Sequence, residues 1–134
     1  MDQETRAKSR VSFLTVPEFF RLDWCCRGFF EAFGEYPYLV GSCMRKPDYR
    51  DVDVSLMMDD AVFEKMFPNK YALLFMNAAV SDWLKARTGL PIDFKFQDTT
   101  KTNAEHPGPR NPLGMRADLF SADTAAGTPK EGTQ

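Results

Sequence analysis

Three aspartates are placed where they could act together. Asp51 and Asp53 lie in DVDVSLMM, residues 51–58, and Asp93 lies in LPIDFKFQ, residues 90–97. Aspartate is depleted in β-strands. Yet Val52, Val54, Leu56 and Met58 fall on every second position, and Ile92, Phe94 and Phe96 alternate with Asp93, Lys95 and Gln97, which is the period of a half-buried strand. Side chains at i and i+2 of a strand project to one face, so Asp51 and Asp53 share a surface. Asp93 joins them if the two strands are neighbours. Carboxylates crowded on one sheet face repel, and protonation, a nearby Lys or Arg, or a hard divalent cation would relieve them. Mg²⁺ takes oxygen ligands and works with one or two carboxylates plus substrate phosphates. Two such ions could be held roughly 3.5–4 Å apart. D-x-D alone does not choose among these remedies, because exposed edge strands often carry charge.

The neighbouring residues narrow the choice. Gly41-Ser42 closes the preceding apolar run YPYLV. A glycine there lets backbone approach a ligand, and a hydroxyl with nearby N–H groups suits phosphate oxygens, although Gly-Ser is also an ordinary turn. Arg45 and Lys46 follow in the loop, Arg50 directly precedes Asp51, and Lys95 shares the Asp93 face. Each could contact phosphate or simply balance carboxylates. His106 is the single histidine and sits in a Pro/Gly stretch, which reads as surface and gives a Ser-His-Asp or Cys-His mechanism no support. Cys43 follows Ser42 and would face the mouth of the site, with no neighbour to activate it. Arg110, Asn111 and Arg116 read as an inert tail, and Phe29, Phe30 and Trp83 as core.

The elements that must position these residues follow from periodicity. Thr15-Val16-Pro17-Glu18 has the spacing of a capping box, and a helix is predicted from Val16 to Phe33, stopped by Gly34. Residues 36–40 read as a short strand, 43–50 as a loop and 51–58 as a second strand. Asp59 and Asp60 can cap a short helix that Pro68 closes. A longer helix is predicted from Lys70 to Arg87, with Leu73, Met76, Val80, Trp83 and Leu84 on its buried stripe and Gly89 as its stop. Residues 90–97 form the last strand. From residue 98 the chain turns to Thr, Pro, Gly and Asn without periodicity. Residues 99–120 would drape over the domain on Leu113, Met115, Leu119 and Phe120, and the last dozen would be disordered.

The order implies an α+β domain, with helices packed on one face of a small mixed or antiparallel sheet. The expected division is a catalytic domain over 1–98, with its core at 13–98, and a Pro/Gly-rich extension over 99–134. The chain has 134 residues, 43% hydrophobic and 27% charged, with twelve Phe to supply a core. Seventeen basic residues against nineteen acidic give a net charge of −2, which removes the electrostatic case for a bulk nucleic-acid binder. Three cysteines, two adjacent and with no CxxC spacing, suggest neither a disulfide framework nor zinc. The polar N-terminus and the lack of a membrane-length apolar run predict a cytoplasmic protein with no membrane partner.

Taken together, Leu39-Val40-Gly41-Ser42, Asp51-Val52-Asp53-Val54 and Ile92-Asp93-Phe94 resemble the three-part signature of the DNA polymerase β-like nucleotidyltransferase superfamily. The resemblance covers residues 36–97 and is greatest to the minimal single-domain members. KPDYRDVDVSL, TGLPIDFKFQ and GPRNPLGMR look like small nucleotidyltransferase-like proteins carried by bacteriophages, which would place the chain in a host cytoplasm. The resemblance implies transfer of a nucleoside monophosphate from an NTP to a hydroxyl, with release of pyrophosphate. It implies two Mg²⁺ or Mn²⁺ ions on Asp51, Asp53 and Asp93, with Asp93 also helping to activate the acceptor. Gly41 and Ser42 would hold the β- and γ-phosphates. Arg50 departs from the small polar residue usual at its position and could itself pair with phosphate. The family's acceptor-holding helical domain is missing, so RNA, protein or a small molecule would be held by the tail, a second copy in a homodimer, or a partner protein. Two alternatives stay open: a degenerate module that binds nucleotide or a host protein, and a metal-dependent nuclease using Asp93-Phe94-Lys95 as its D-x-K.

Overall fold

A computed structural model describes residues 12–116. Its elements, in order, are α1 (Val16–Cys25), α2 (Phe29–Phe33), β1 (Tyr38–Val40), a 3₁₀ turn (Ser42–Met44), β2 (Val52–Met58), α3 (Asp60–Met66), α4 (Lys70–Thr88), β3 (Ile92–Asp98), α5 (Thr99–Glu105) and β4 (Asn111–Pro112). The architecture is α+β around a four-stranded mixed sheet of order β3-β2-β1-β4. β1 runs antiparallel to both β2 and β4, and β2 runs parallel to β3.

α1 opens with the capping box expected of Thr15 and Glu18: the Thr15 hydroxyl accepts from Glu18 N, and the Glu18 carboxylate accepts from Thr15 N at 2.8 Å. The helix does not run on to Phe33. It stops at Cys25 and restarts at Phe29, because Gly28 adopts φ 96°, a left-handed conformation that interrupts helical hydrogen bonding. Phe29 is buried against Phe94, whereas Phe30 is exposed and stacks on Tyr36 at 4.6 Å between ring centroids.

One face of the sheet carries the core. Val52, Val54, Leu56 and Met58 of β2 meet Ile92, Phe94 and Phe96 of β3 in register, all of them buried. α4 runs along β3, and two of its polar side chains satisfy the strand's unpaired edge. Phe94 N donates to Ser81 Oγ at 2.8 Å, and Phe96 N donates to Asn77 Oδ1 at 2.9 Å. A strand edge covered in this way cannot recruit another strand. The inward side of α4 is therefore Leu73, Asn77, Val80, Ser81 and Leu84, and the expected places of Met76 and Trp83 in the stripe are not taken. Both are more than a third exposed, and the Arg87 guanidinium lies 4.1 Å above the Trp83 ring.

The opposite face is covered only in part. α5 lies over its far half, where Thr102 Oγ1 and Ser55 Oγ both approach Gln97 Oε1, Ser55 at 2.8 Å. Asp98 caps α5 by accepting from Lys101 N at 2.6 Å. Neither Asp59 nor Asp60 caps α3 with its side chain; Asp59 is the N-cap residue without such a bond, and the Asp60 carboxylate accepts from Thr100 N and Oγ1, tying α3 to α5. Residues 99–116 thus contribute a helix and an edge strand, which the sequence pattern did not suggest. Leu113 is the buried anchor expected of it, Met115 is exposed, and Leu119 and Phe120 lie outside the described residues. Arg116 is no inert tail residue: it binds the buried Asp23 at 2.8 Å, the Asn111 side chain at 2.6 Å and the Pro112 carbonyl. No helix among the described residues is long and apolar enough to cross a membrane.

Candidate metal centre

The uncovered half of the second face is where the three aspartates meet. Asp53 and Asp93 are direct partners in the parallel β2–β3 ladder. Asp51 stands one residue before β2, where the Val52 N–H to Pro91 carbonyl bond pins the strand entry. One carboxylate oxygen from each of Asp51, Asp53 and Asp93 lies within 4.8 Å of the others. Asp51 is exposed and the other two are half-buried.

Such a cluster raises the cost of ionisation. The Asp53 carboxyl is pushed up from 3.8 to about 6, first by burial and then by the charges of Asp93 and Asp51, with Lys95 and Arg45 acting in the opposite sense. The nearest cation contact is weak. Lys95 Nζ is 4.0 Å from Asp93 Oδ2, and both side chains are substantially exposed, an arrangement that contributes little in water. Of the three remedies for crowded carboxylates, neighbouring cations thus supply only part. The donor set left over, carboxylate oxygens alone and open to solvent on one side, fits a hard divalent cation.

Gly41 is built into this geometry. Its φ of 81° and ψ of −156° turn the chain sharply out of β1, and a Cβ there would overlap Asp53 Oδ2 while standing 3.0 Å from Asp53 Cγ. Any side chain at 41 would displace the carboxylate. Ser42 follows half-buried, and its carbonyl accepts from Arg45 N and Lys46 N, both at 2.9 Å, closing the 3₁₀ turn. The structure therefore brings together Gly41, Ser42, Asp51, Asp53, Asp93 and Lys95, with Arg45 close enough to act on Asp53. Lys46 and Arg50 are exposed on the loop, and neither is among the charges acting on Asp53.

Two residues are placed differently from their sequence reading. Cys43 does not face the mouth of the site; it is fully buried, and its thiol is pushed up to about 12 by burial and by Asp53 beside it. His106 is half-buried rather than a surface residue, and it is held toward its neutral form mainly by burial, with the Glu105 charge opposing this and Lys95, Arg45 and Arg110 adding to it. The loop after α5 therefore reaches the rim of the site, with Gly108 beside the Arg45 guanidinium. Only the Pro and Gly content of EHPGPR hinted at such a return. An apolar cleft of about 610 Å³ lined by Leu14, Val16, Phe19 and Arg116 lies elsewhere, and none of the three aspartates borders it.

Comparison with known proteins returned no matching family model, no matching curated protein and no matching solved structure.

Proposed function

We propose that the protein is a metal-dependent nucleotidyltransferase, moving a nucleoside monophosphate from an NTP to an acceptor hydroxyl with release of pyrophosphate. The observation that carries this reading is the in-register pairing of Asp53 with Asp93, with Asp51 within 4.8 Å and Gly41 packed directly on Asp53. It unites in one place the three pieces on which the resemblance to the DNA polymerase β-like superfamily rests.

Asp51, Asp53 and Asp93 would hold Mg²⁺ or Mn²⁺, which when bound supplies positive charge to phosphoryl oxygens and lowers the pKa of a coordinated hydroxyl. The chain's own residues account for the rest. The Gly41-Ser42 turn, packed on Asp53, would offer its backbone N–H groups and the Ser42 hydroxyl to phosphate oxygens beside the carboxylates. Arg45 and Lys95 set cationic charge at the rim, where a triphosphate needs it, since phosphoryl transfer depends mainly on positioning and charge neutralisation. Asp93 would help to activate the acceptor by taking its proton. The acceptor is RNA, a protein or a small molecule.

A second reading has its own observation. Asp93 and Lys95 share a face with Asp53, and a nuclease also uses carboxylates beside a lysine. One experiment separates the two. The protein is incubated with Mn²⁺, cell extract and NTP labelled at the α- or the γ-phosphate. Nucleotidyl transfer moves the α-label onto an acceptor and leaves the γ-label in pyrophosphate. Shortening of nucleic acid with no NTP present would favour the nuclease. NTP binding without turnover would favour a degenerate binding module.

A further inference from the structure

α4 presents an apolar outer face that nothing in the described chain covers. Phe75 is 75% exposed, Tyr71 63% and Leu74 59%, and Ala78, Ala79 and the Asp82 side chain are exposed beside them. These residues recur at spacings of three and four, so they form one stripe. It is turned away from β3, because Asn77, Ser81 and Leu84 occupy the inward side. Soluble proteins rarely leave contiguous large apolar side chains in water.

We propose that this face docks a second copy of the chain, with the two α4 helices antiparallel about a two-fold axis midway between Met76 and Asn77. A two-fold interface must be self-complementary, each residue meeting the one equally far from the axis in the opposite direction. The α4 stripe meets that condition. Phe75 and Ala78 are equidistant from the axis, and so are Leu74 and Ala79, so each large apolar side chain of one copy faces a small one of the other. Tyr71 and Asp82 are likewise equidistant. The Asp82 carboxylate then meets the Tyr71 phenol, with the Lys70 ammonium 5.6 Å from that ring's centroid. Opposite charges thus meet at both ends, whereas a parallel pairing would set Asp82 on Asp82. Among the described residues of one chain Asp82 pairs with Lys85, at 4.0 Å, and Lys70 is roughly 18 Å away along the helix.

The inference goes beyond the proposed activity and does not depend on it, since no member of the acid cluster lies on α4. The test is sedimentation equilibrium of the full chain over a wide concentration range. The wild type should be a dimer. Phe75→Glu should raise the dissociation constant about 30-fold or more, with the circular dichroism and Mn²⁺ binding of the wild type. Asp82→Lys should weaken the dimer, and adding Lys70→Glu should restore it, a rescue that only contact between copies can produce across that separation. A monomeric wild type, a dimer indifferent to Phe75→Glu, or failure of the charge swap to restore association would each overturn the proposal.

Discussion

Gly41 lies against the Asp53 carboxylate so closely that a single added carbon at position 41 would overlap it. The turn that ends β1 and the Asp53 carboxylate of the acid cluster are thus one structural unit, joined through the antiparallel pairing of Val40 with Asp53. Gly41→Ala should therefore act on the site as well as on the backbone. Gly28→Ala is its control, since Gly28 also has positive φ but open space where a Cβ would go. Gly28→Ala should cost about 1–2 kcal/mol from its left-handed backbone, and Gly41→Ala about 1–3 kcal/mol, because its φ and ψ lie in a region that only glycine adopts readily. Only Gly41→Ala should also weaken Mn²⁺ binding, by tenfold or more, read by calorimetric titration.

Asp53 makes stability depend on pH in a definite direction. Its folded-state pKa of about 6 exceeds the ordinary 3.8, so the folded protein holds that proton more tightly than the unfolded chain does. The penalty is absent below pH 3.8, grows as pH rises toward 6, and is fully present above 6. Without metal, Asp53 should thus lower stability by about 1 kcal/mol between pH 4 and 7, a value reduced for solvent screening at a half-exposed site. Thermal melts of wild type and Asp53→Asn across this range measure it, and the two curves should converge at low pH. Added Mg²⁺ should remove the difference by stabilising the wild type alone.

Metal affinity should follow the same group. Divalent cations compete with protons for Asp53, so Mn²⁺ binding should fall roughly tenfold for each pH unit below 6 and level off above 7. Titrations at several pH values provide the measurement, and a flat profile would remove Asp53 from the ligand set.

Arg116 should matter to folding rather than to chemistry. It neutralises Asp23, which is almost wholly buried and whose carboxylate also accepts from Gly114 N at 2.9 Å. Arg116→Ala leaves that charge without its cation and should cost about 3 kcal/mol. Urea denaturation of the variant would show this, with Mn²⁺ affinity unchanged at temperatures where it remains folded.

Where local chemistry and fold agree, the sequence was informative. The Thr15–Glu18 capping box, the alternation along residues 52–58 and 92–96, and the Gly89 stop all depend on neighbours a few residues away. The meeting of Asp51, Asp53 and Asp93 was legible because alternation fixes a face once two strands are adjacent. The rest depended on distant partners. Apolar spacing continues through Gly28, so the helix break leaves no gap in periodicity. Asn77 and Ser81 face inward because an edge strand needs partners for its N–H groups, and polar residues turned inward defeat a pattern that counts only apolar ones. The Thr-rich segment 99–105 has weak helix propensity and is held by Asp98, Asp60 and Gln97. The Arg116–Asp23 pair spans the chain with no local sign of itself.

The central claim is that Asp51, Asp53 and Asp93 form one cation site. Mn²⁺ titration at pH 7.5, followed by electron paramagnetic resonance with and without a non-hydrolysable NTP analogue, tests it most directly. Bound Mn²⁺ should appear in the wild type, increase with the analogue, and vanish in Asp53→Asn while the fold persists. Equal binding by Asp53→Asn, or no bound Mn²⁺ in the wild type even with the nucleotide present, would contradict it.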